Sequence, residues 1–165
     1  HQNTTASYFD VAPFMGDYLV SNSNNDSVER RNAGDGSFIS TFAMGLDFVQ
    51  QVETLADNSV LAVSTIGANG IEGVYHFNSD MTLRRFINTQ GIKDSFGEQV
   101  PRAAWLLGDG EYLITTSIGV FKTAGPGFTR LTTGTDAQFI GRLIPAPGAV
   151  AIGGLGMFLA MRRRR

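Results

Sequence analysis

One unit is written three times in this chain, and that repetition limits what the chain can fold into more than any other feature. Met15–Asn22, Ser27–Asn32 and Gly36–Phe42 form the first copy, Ala56–Thr65, Gly73–Asn78 and Met81–Phe86 the second, and Leu107–Thr116, Gly119–Ala124 and Gly127–Leu131 the third. The intervals agree: Val28 to Val74 and Val74 to Val120 are each 46 residues, while Phe38 to Leu83 and Leu83 to Phe128 are each 45. In every copy a turn rich in Gly, Asp and Asn introduces an apolar strand, a second turn an alternating strand, and a third turn a shorter one. A further apolar stretch precedes each copy, at Tyr8–Val11, Phe48–Val52 and Ala103–Leu107. Four short strands in about 45 residues is the period of a β-propeller blade.

Continuous apolar runs at Val60–Val63 and Tyr112–Ile114 are what inner strands covered on both faces require. In the next strand Val74, His76 and Asn78 alternate with Tyr75 and Phe77. The expected fold class is therefore all-β, with propeller-like four-stranded antiparallel repeats over residues 1–141. Over about residues 7–134 the pattern resembles the loose propeller repeats of exported bacterial proteins of the NHL or lactonase-like kind. Three blades do not close a ring when propellers use four to eight. The expectation is a part of a larger propeller, with an open stack or completion by a second chain as the other two solutions.

Residues 142–165 read as a separate region. Leu143–Met161 is 19 residues without a formal charge, with Pro145-Ala146-Pro147-Gly148 near its start, and is followed by Arg162, Arg163, Arg164 and Arg165. This order resembles the PEP-CTERM sorting tail of exported bacterial proteins, which an exosortase processes, with Ala146 in place of the usual glutamate. The resemblance implies a C-terminal transmembrane helix, terminal arginines that stop transfer, and an inner-membrane-anchored precursor destined for the envelope or the extracellular matrix. A chain that starts at His1 with no leader is expected either to have lost one or to be a fragment.

Charge and composition exclude several functions. Residues 1–141 hold 15 acids against 8 Lys and Arg, a net of −7, which disfavours nucleic acid as a partner. No cysteine is present, which removes disulfides and thiol catalysis, and the two histidines, His1 and His76, cannot assemble a metal cluster or triad. Asn22, Asn24 and Asp26 resemble the opening of a calcium loop, but no Gly follows Asp26 and the twelfth position is Ala33, so a polar turn is the expected role. Asp17, Asp57 and Asp109 recur in the turns before the apolar strands, as residues needed by a turn do and catalytic residues do not. His76 is expected at a blade surface, and Trp105, Tyr112, Phe121 and Phe128 are core candidates. The pairs Arg30-Arg31 and Arg84-Arg85 are expected to split between opposite sheet faces. Gly67–Gly70 and Gly125–Gly127 lack the Lys-Ser/Thr of a phosphate loop.

These readings predict an exported surface or interaction protein with no cofactor and no catalytic or metal-binding residues of its own. The expected partners are the membrane, a processing exosortase, and extracellular polysaccharide or protein. The alternatives are part of a propeller lactonase or lyase, or a carbohydrate-binding module.

Overall fold

The structure, a computed structural model, describes residues 6–65, 72–134 and 140. Among the described residues, twelve strands fall in three groups of four. The first comprises β1 (Tyr8–Phe14), β2 (Asp17–Asn22), β3 (Ser27–Arg31) and β4 (Phe38–Met44); the second comprises β5 (Val49–Thr54), β6 (Val60–Ser64), β7 (Gly73–Phe77) and β8 (Leu83–Asn88). A short helix, α1 (Gln90–Phe96), leads to β9 (Pro101–Leu106), β10 (Tyr112–Thr116), β11 (Gly119–Ala124) and β12 (Gly127–Arg130). Each group is an antiparallel sheet in sequence order, with β1, β5 and β9 at one edge. The expected repeat is thus present, with β6 and β10 at the bounds that the apolar runs indicate.

The first three strands of each sheet pair in an equivalent register. Val11 opposes Val20, Val52 opposes Ala62, and Ala104 opposes Ile114, while Ser21–Val28, Val63–Val74 and Thr115–Val120 pair in the next ladder. Asp10, Gln51 and Ala103 are therefore equivalent, as are Leu19, Leu61 and Leu113. Gly16, Asn58 and Gly110 share a turn position and all have positive φ, 87°, 60° and 81°. This register corrects the alignment of the turn acids. Asp57 and Asp109 are equivalent, whereas Asp17 matches Ser59 and Glu111 on the strand two residues later.

Successive sheets pack face to face. One core joins Ala12, Phe14, Leu19, Val28 and Phe42 of the first sheet to Val49, Val52, Val60, Ala62, Tyr75 and Phe77 of the second. The other joins Leu61, Val63, Val74 and Ile87 of the second to Ala104, Tyr112 and Ile114 of the third. All five residues of β6 are buried because one set of its side chains enters each core, which is why the run does not alternate.

The helix α1 was not expected. Ile92 anchors it in the interior, Phe96 packs on Phe121 with ring centroids 5.1 Å apart, and Gly97 ends it at φ 95°. The expectation that the fold includes a transmembrane sorting helix is corrected: among the described residues no helix is long and apolar enough to cross a membrane. At ~1.5 Å per residue α1 rises about 10 Å against the ~30 Å of a bilayer core, and it carries Lys93 and Asp94. Pro145, Ala146, Pro147, Gly148 and Arg162–Arg165, on which the sorting reading fell, lie outside the described residues.

Candidate functional site

The turns that join the first two strands of each sheet converge on a groove of about 930 Å3. Its walls are Phe14–Tyr18, Glu53–Asn58 and Trp105–Gly108, so all three sheets contribute. Trp105, a core candidate by sequence, is only half-buried and belongs to this groove, whereas Tyr112 and Phe121 are in the interior as expected. Trp105 lies on the face of the third sheet that points away from the second.

The groove is acidic but most of its carboxylates are engaged. Asp17 is 2.7 Å from Arg30, and Asp57 is 2.9 Å from Arg84. The equivalent turn of the third sheet pairs Asp109 with Lys122 at 2.7 Å. Asp57 also accepts from the backbone N–H of Ser59 at 3.0 Å, and Asp109 from that of Glu111 at 3.0 Å, closing the turns locally. The Ser59 hydrogen bonds, with Arg84 beside them, hold the Asp57 carboxyl down at about 2. Glu53 behaves oppositely: burial, with the Asp10 charge nearby, raises its pKa above the usual value. Asp10 is itself raised by burial, opposed by hydrogen bonds from Val52 and Val11.

Behind Asp57 lies a buried polar chain that no sequence signal foretold. Ser59 Oγ is 2.5 Å from Asp57 Oδ1 and 2.8 Å from His76 Nε2, and His76 Nδ1 is 2.7 Å from Tyr112 Oη. An ionised carboxylate only accepts, so Ser59 donates to Asp57, His76 Nε2–H donates to Ser59, and the Tyr112 hydroxyl donates to Nδ1. The expectation that His76 sits at a blade surface is corrected: it is on a sheet face, but the next sheet covers that face and leaves it 2% exposed. Desolvation and the nearby Arg84 and Arg85 hold its pKa below the usual value, against the pull of Asp57. The Ser59–His76 pair stands where Asp17 and Arg30 pair on the first sheet.

The remaining sequence candidates are structural. Asn22 accepts from the Asn25 N–H and donates to Glu29, and Asp26, at φ 48°, accepts from the Phe48 N–H. These oxygens shape a turn and tie it to the second sheet. The first arginine pair splits as expected, Arg30 reaching Asp17 while Arg31 reaches Glu29. At Arg84-Arg85 a register shift opposite His76 and Phe77 interrupts the alternation, and Arg84, which reaches Asp57, and Arg85, over the Tyr112 ring at 5.1 Å, both lie near His76. Sequence reasoning missed Asp10 and Gln51, whose side chains bridge the sheets. Asp10 accepts from the Val52 N–H at 3.1 Å, and the equivalent Gln51 accepts from the Ala104 N–H at 2.6 Å.

Comparison with solved structures assigns the architecture. A catalytically inactive virginiamycin B lyase from Staphylococcus aureus, crystallised with quinupristin, matches with a TM-score of 0.59 and 11% identity over 85% of this chain and 47% of that one. The fold is propeller-like. A Bacteroides caccae protein of unknown function is similar at a TM-score of 0.54 and 17% identity, over 82% of this chain and 48% of that one. The computationally designed Ika4 protein matches at 0.52 and 9%, over 83% of this chain and 78% of that one. The chain spans about half the length of the two natural structures. No protein-family model and no curated protein matches it. At these identities the likeness concerns the fold alone.

Proposed function

We propose that this chain is an interaction module of the cell envelope or extracellular matrix, which holds a polysaccharide or protein segment in the groove between its three inner turns. One observation carries the reading: exposed Met15 and half-buried Leu55, Leu106 and Leu107 line the groove from all three sheets, while Asp17 and Asp57 in its turns are already paired with cations. An apolar wall with few free charges suits a sugar face or a side chain better than a metal or a developing ionic charge. Among the described residues no group of three His, Cys, Asp or Glu could hold a metal ion. His76 is walled off with both ring nitrogens bonded, which leaves the lyase alternative without an accessible base there.

The tail supports delivery to the envelope. Pro145–Gly148 and Arg162–Arg165 stand in the order of an exosortase-processed signal. Replacing Arg162–Arg165 by serine in a host with the processing enzyme tests this part, and surface delivery indistinguishable from the parent would end it. The binding reading is tested by titrating neutral and cationic oligosaccharides into the protein and its Leu107→Ser variant. Saturable binding weakened at least tenfold in the variant is expected. Binding that Leu107→Ser leaves unchanged would remove the groove from the function.

A further inference from the structure

Among the described residues, the two terminal sheets each leave uncovered a face whose equivalents are buried inside the molecule. Val11 is 57% exposed, while its equivalents Val52 and Ala104 are 1% and 0% exposed. Tyr18 is 42% exposed, against 0% for Val60 and 2% for Tyr112. Tyr8, Phe38 and Met44 continue this apolar face across the first sheet. At the other end, Leu113 and Val120 are half-buried where Leu19, Leu61, Val28 and Val74 are fully buried. At these places both faces keep the apolar residues of a packed junction without the junction, while Glu29 and Arg31 stand where Tyr75 and Phe77 are buried.

The single strong charge pair on the first sheet's open face is compatible with being covered. Arg31 is 2.6 Å from Glu29 and 2.7 Å from the Tyr8 hydroxyl, and its guanidinium lies over the Tyr8 and Phe38 rings at 5.3 and 5.8 Å. Burial raises the Glu29 pKa, but the Arg31 and Asn22 hydrogen bonds outweigh it and hold the group below its usual value. A neutralised, flattened arginine costs less to desolvate than a free one.

The hydrogen bonds at the sheet edges distinguish the possible occupants. At each internal junction a side chain on the earlier sheet serves a backbone N–H of the later one, Asp10 to Val52 and Gln51 to Ala104. The first sheet does not need this service, because Asp10 Oδ1 accepts from the Val11 N–H at 2.9 Å. The third sheet does not offer it, because the equivalent of Asp10 and Gln51 is Ala103. A face with a satisfied donor matches a face with no acceptor, and this chain has one of each. We propose that the outer face of the third sheet of one copy packs on the outer face of the first sheet of a second copy, so that two chains close a six-bladed ring through two identical junctions. Six lies within the usual four to eight blades, head-to-tail contacts close when the rotation permits, and the chain's coverage of about half of each similar natural structure agrees with a half ring.

The mass of the full chain in solution tests this, measured by light scattering over a range of concentrations on the parent and on Val11→Lys. The expected result is twice the 17.8 kDa chain mass for the parent and once that mass for the variant, with the same β-sheet circular dichroism. Val11 is exposed in the single chain, so the lysine leaves the fold intact. Leu113→Lys, on the outer face of the third sheet, provides a second readout: it should also give the single-chain mass with unchanged circular dichroism. A parent of single-chain mass, open-ended polymers, or a dimer that Val11→Lys leaves intact, as association through the apolar tail would be, each overturns the proposal.

Discussion

Tyr112 Oη and His76 Nδ1 meet at 2.7 Å across the boundary between the second and third sheets, and the proton between them belongs to the tyrosine. Ser59 and Asp57 set that direction from the other side of the imidazole, by obliging Nε2 to donate. A neutral histidine is thus built into the junction, and its protonation works against the junction.

Stability should accordingly depend on pH near the histidine range. The folded pKa of His76 is depressed, so the unfolded chain takes up the proton first as pH falls through about 6.5. Stability contributed by the neutral ring is complete above that value, and declines as pH drops towards the depressed folded value. The midpoint of urea unfolding, followed from pH 7.5 to 5.5, should fall in the parent and be flatter in His76→Gln.

Removing the hydroxyl opposite the ring isolates one link of the chain. Tyr112→Phe keeps the packing but strands a buried Nδ1, and a loss of roughly 1–3 kcal/mol is expected. Denaturant titration at pH 7.5 measures it. A change within error would mean that the hydrogen bond contributes nothing to the junction.

Gln51 gives the same type of test at the inner edge. Gln51→Leu fills much of the space but leaves the buried Ala104 N–H without the acceptor now 2.6 Å away. The expected cost is again about 1–3 kcal/mol, accompanied by faster hydrogen exchange at Ala104 than at Val52, whose N–H keeps Asp10.

Two glycines open the third strand of their sheets at equivalent positions. A Cβ on Gly73, at φ 156°, would lie 2.2 Å from the Ile87 carbonyl oxygen, and one on Gly119, at φ 144°, would lie 2.4 Å from that of Thr132. Backbone oxygens cannot step aside, so Gly73→Ala and Gly119→Ala should each cost upwards of about 2 kcal/mol. Ser27 holds the equivalent place in the first sheet without positive φ, so Ser27→Ala should be much milder in the same thermal melts.

Local pattern alone sets the repeat, its four-stranded composition and the bounds of β6 and β10. Period-two alternation, apolar runs and Gly-Asp turns are local properties that each copy states independently. The splitting of Arg30-Arg31 between faces follows from the same geometry, which a register shift interrupts at Arg84-Arg85. Tertiary structure decided what those faces meet. Nothing near His76 in the chain shows that Tyr112, 36 residues later, covers it, or that Trp105 stands on a groove while Tyr112 is buried. Nor does the run from Gln90 to Phe96 announce a helix, since Ile92 and Phe96 form one only because the interior and Phe121 are there to receive them. A side chain's burial depends on the sheet packed against it, and the chain's local pattern records which residues share a face but not whether a neighbour covers it. Val11 and Val52 occupy the same place in the same pattern, and only the presence of an adjacent sheet makes one exposed and the other core.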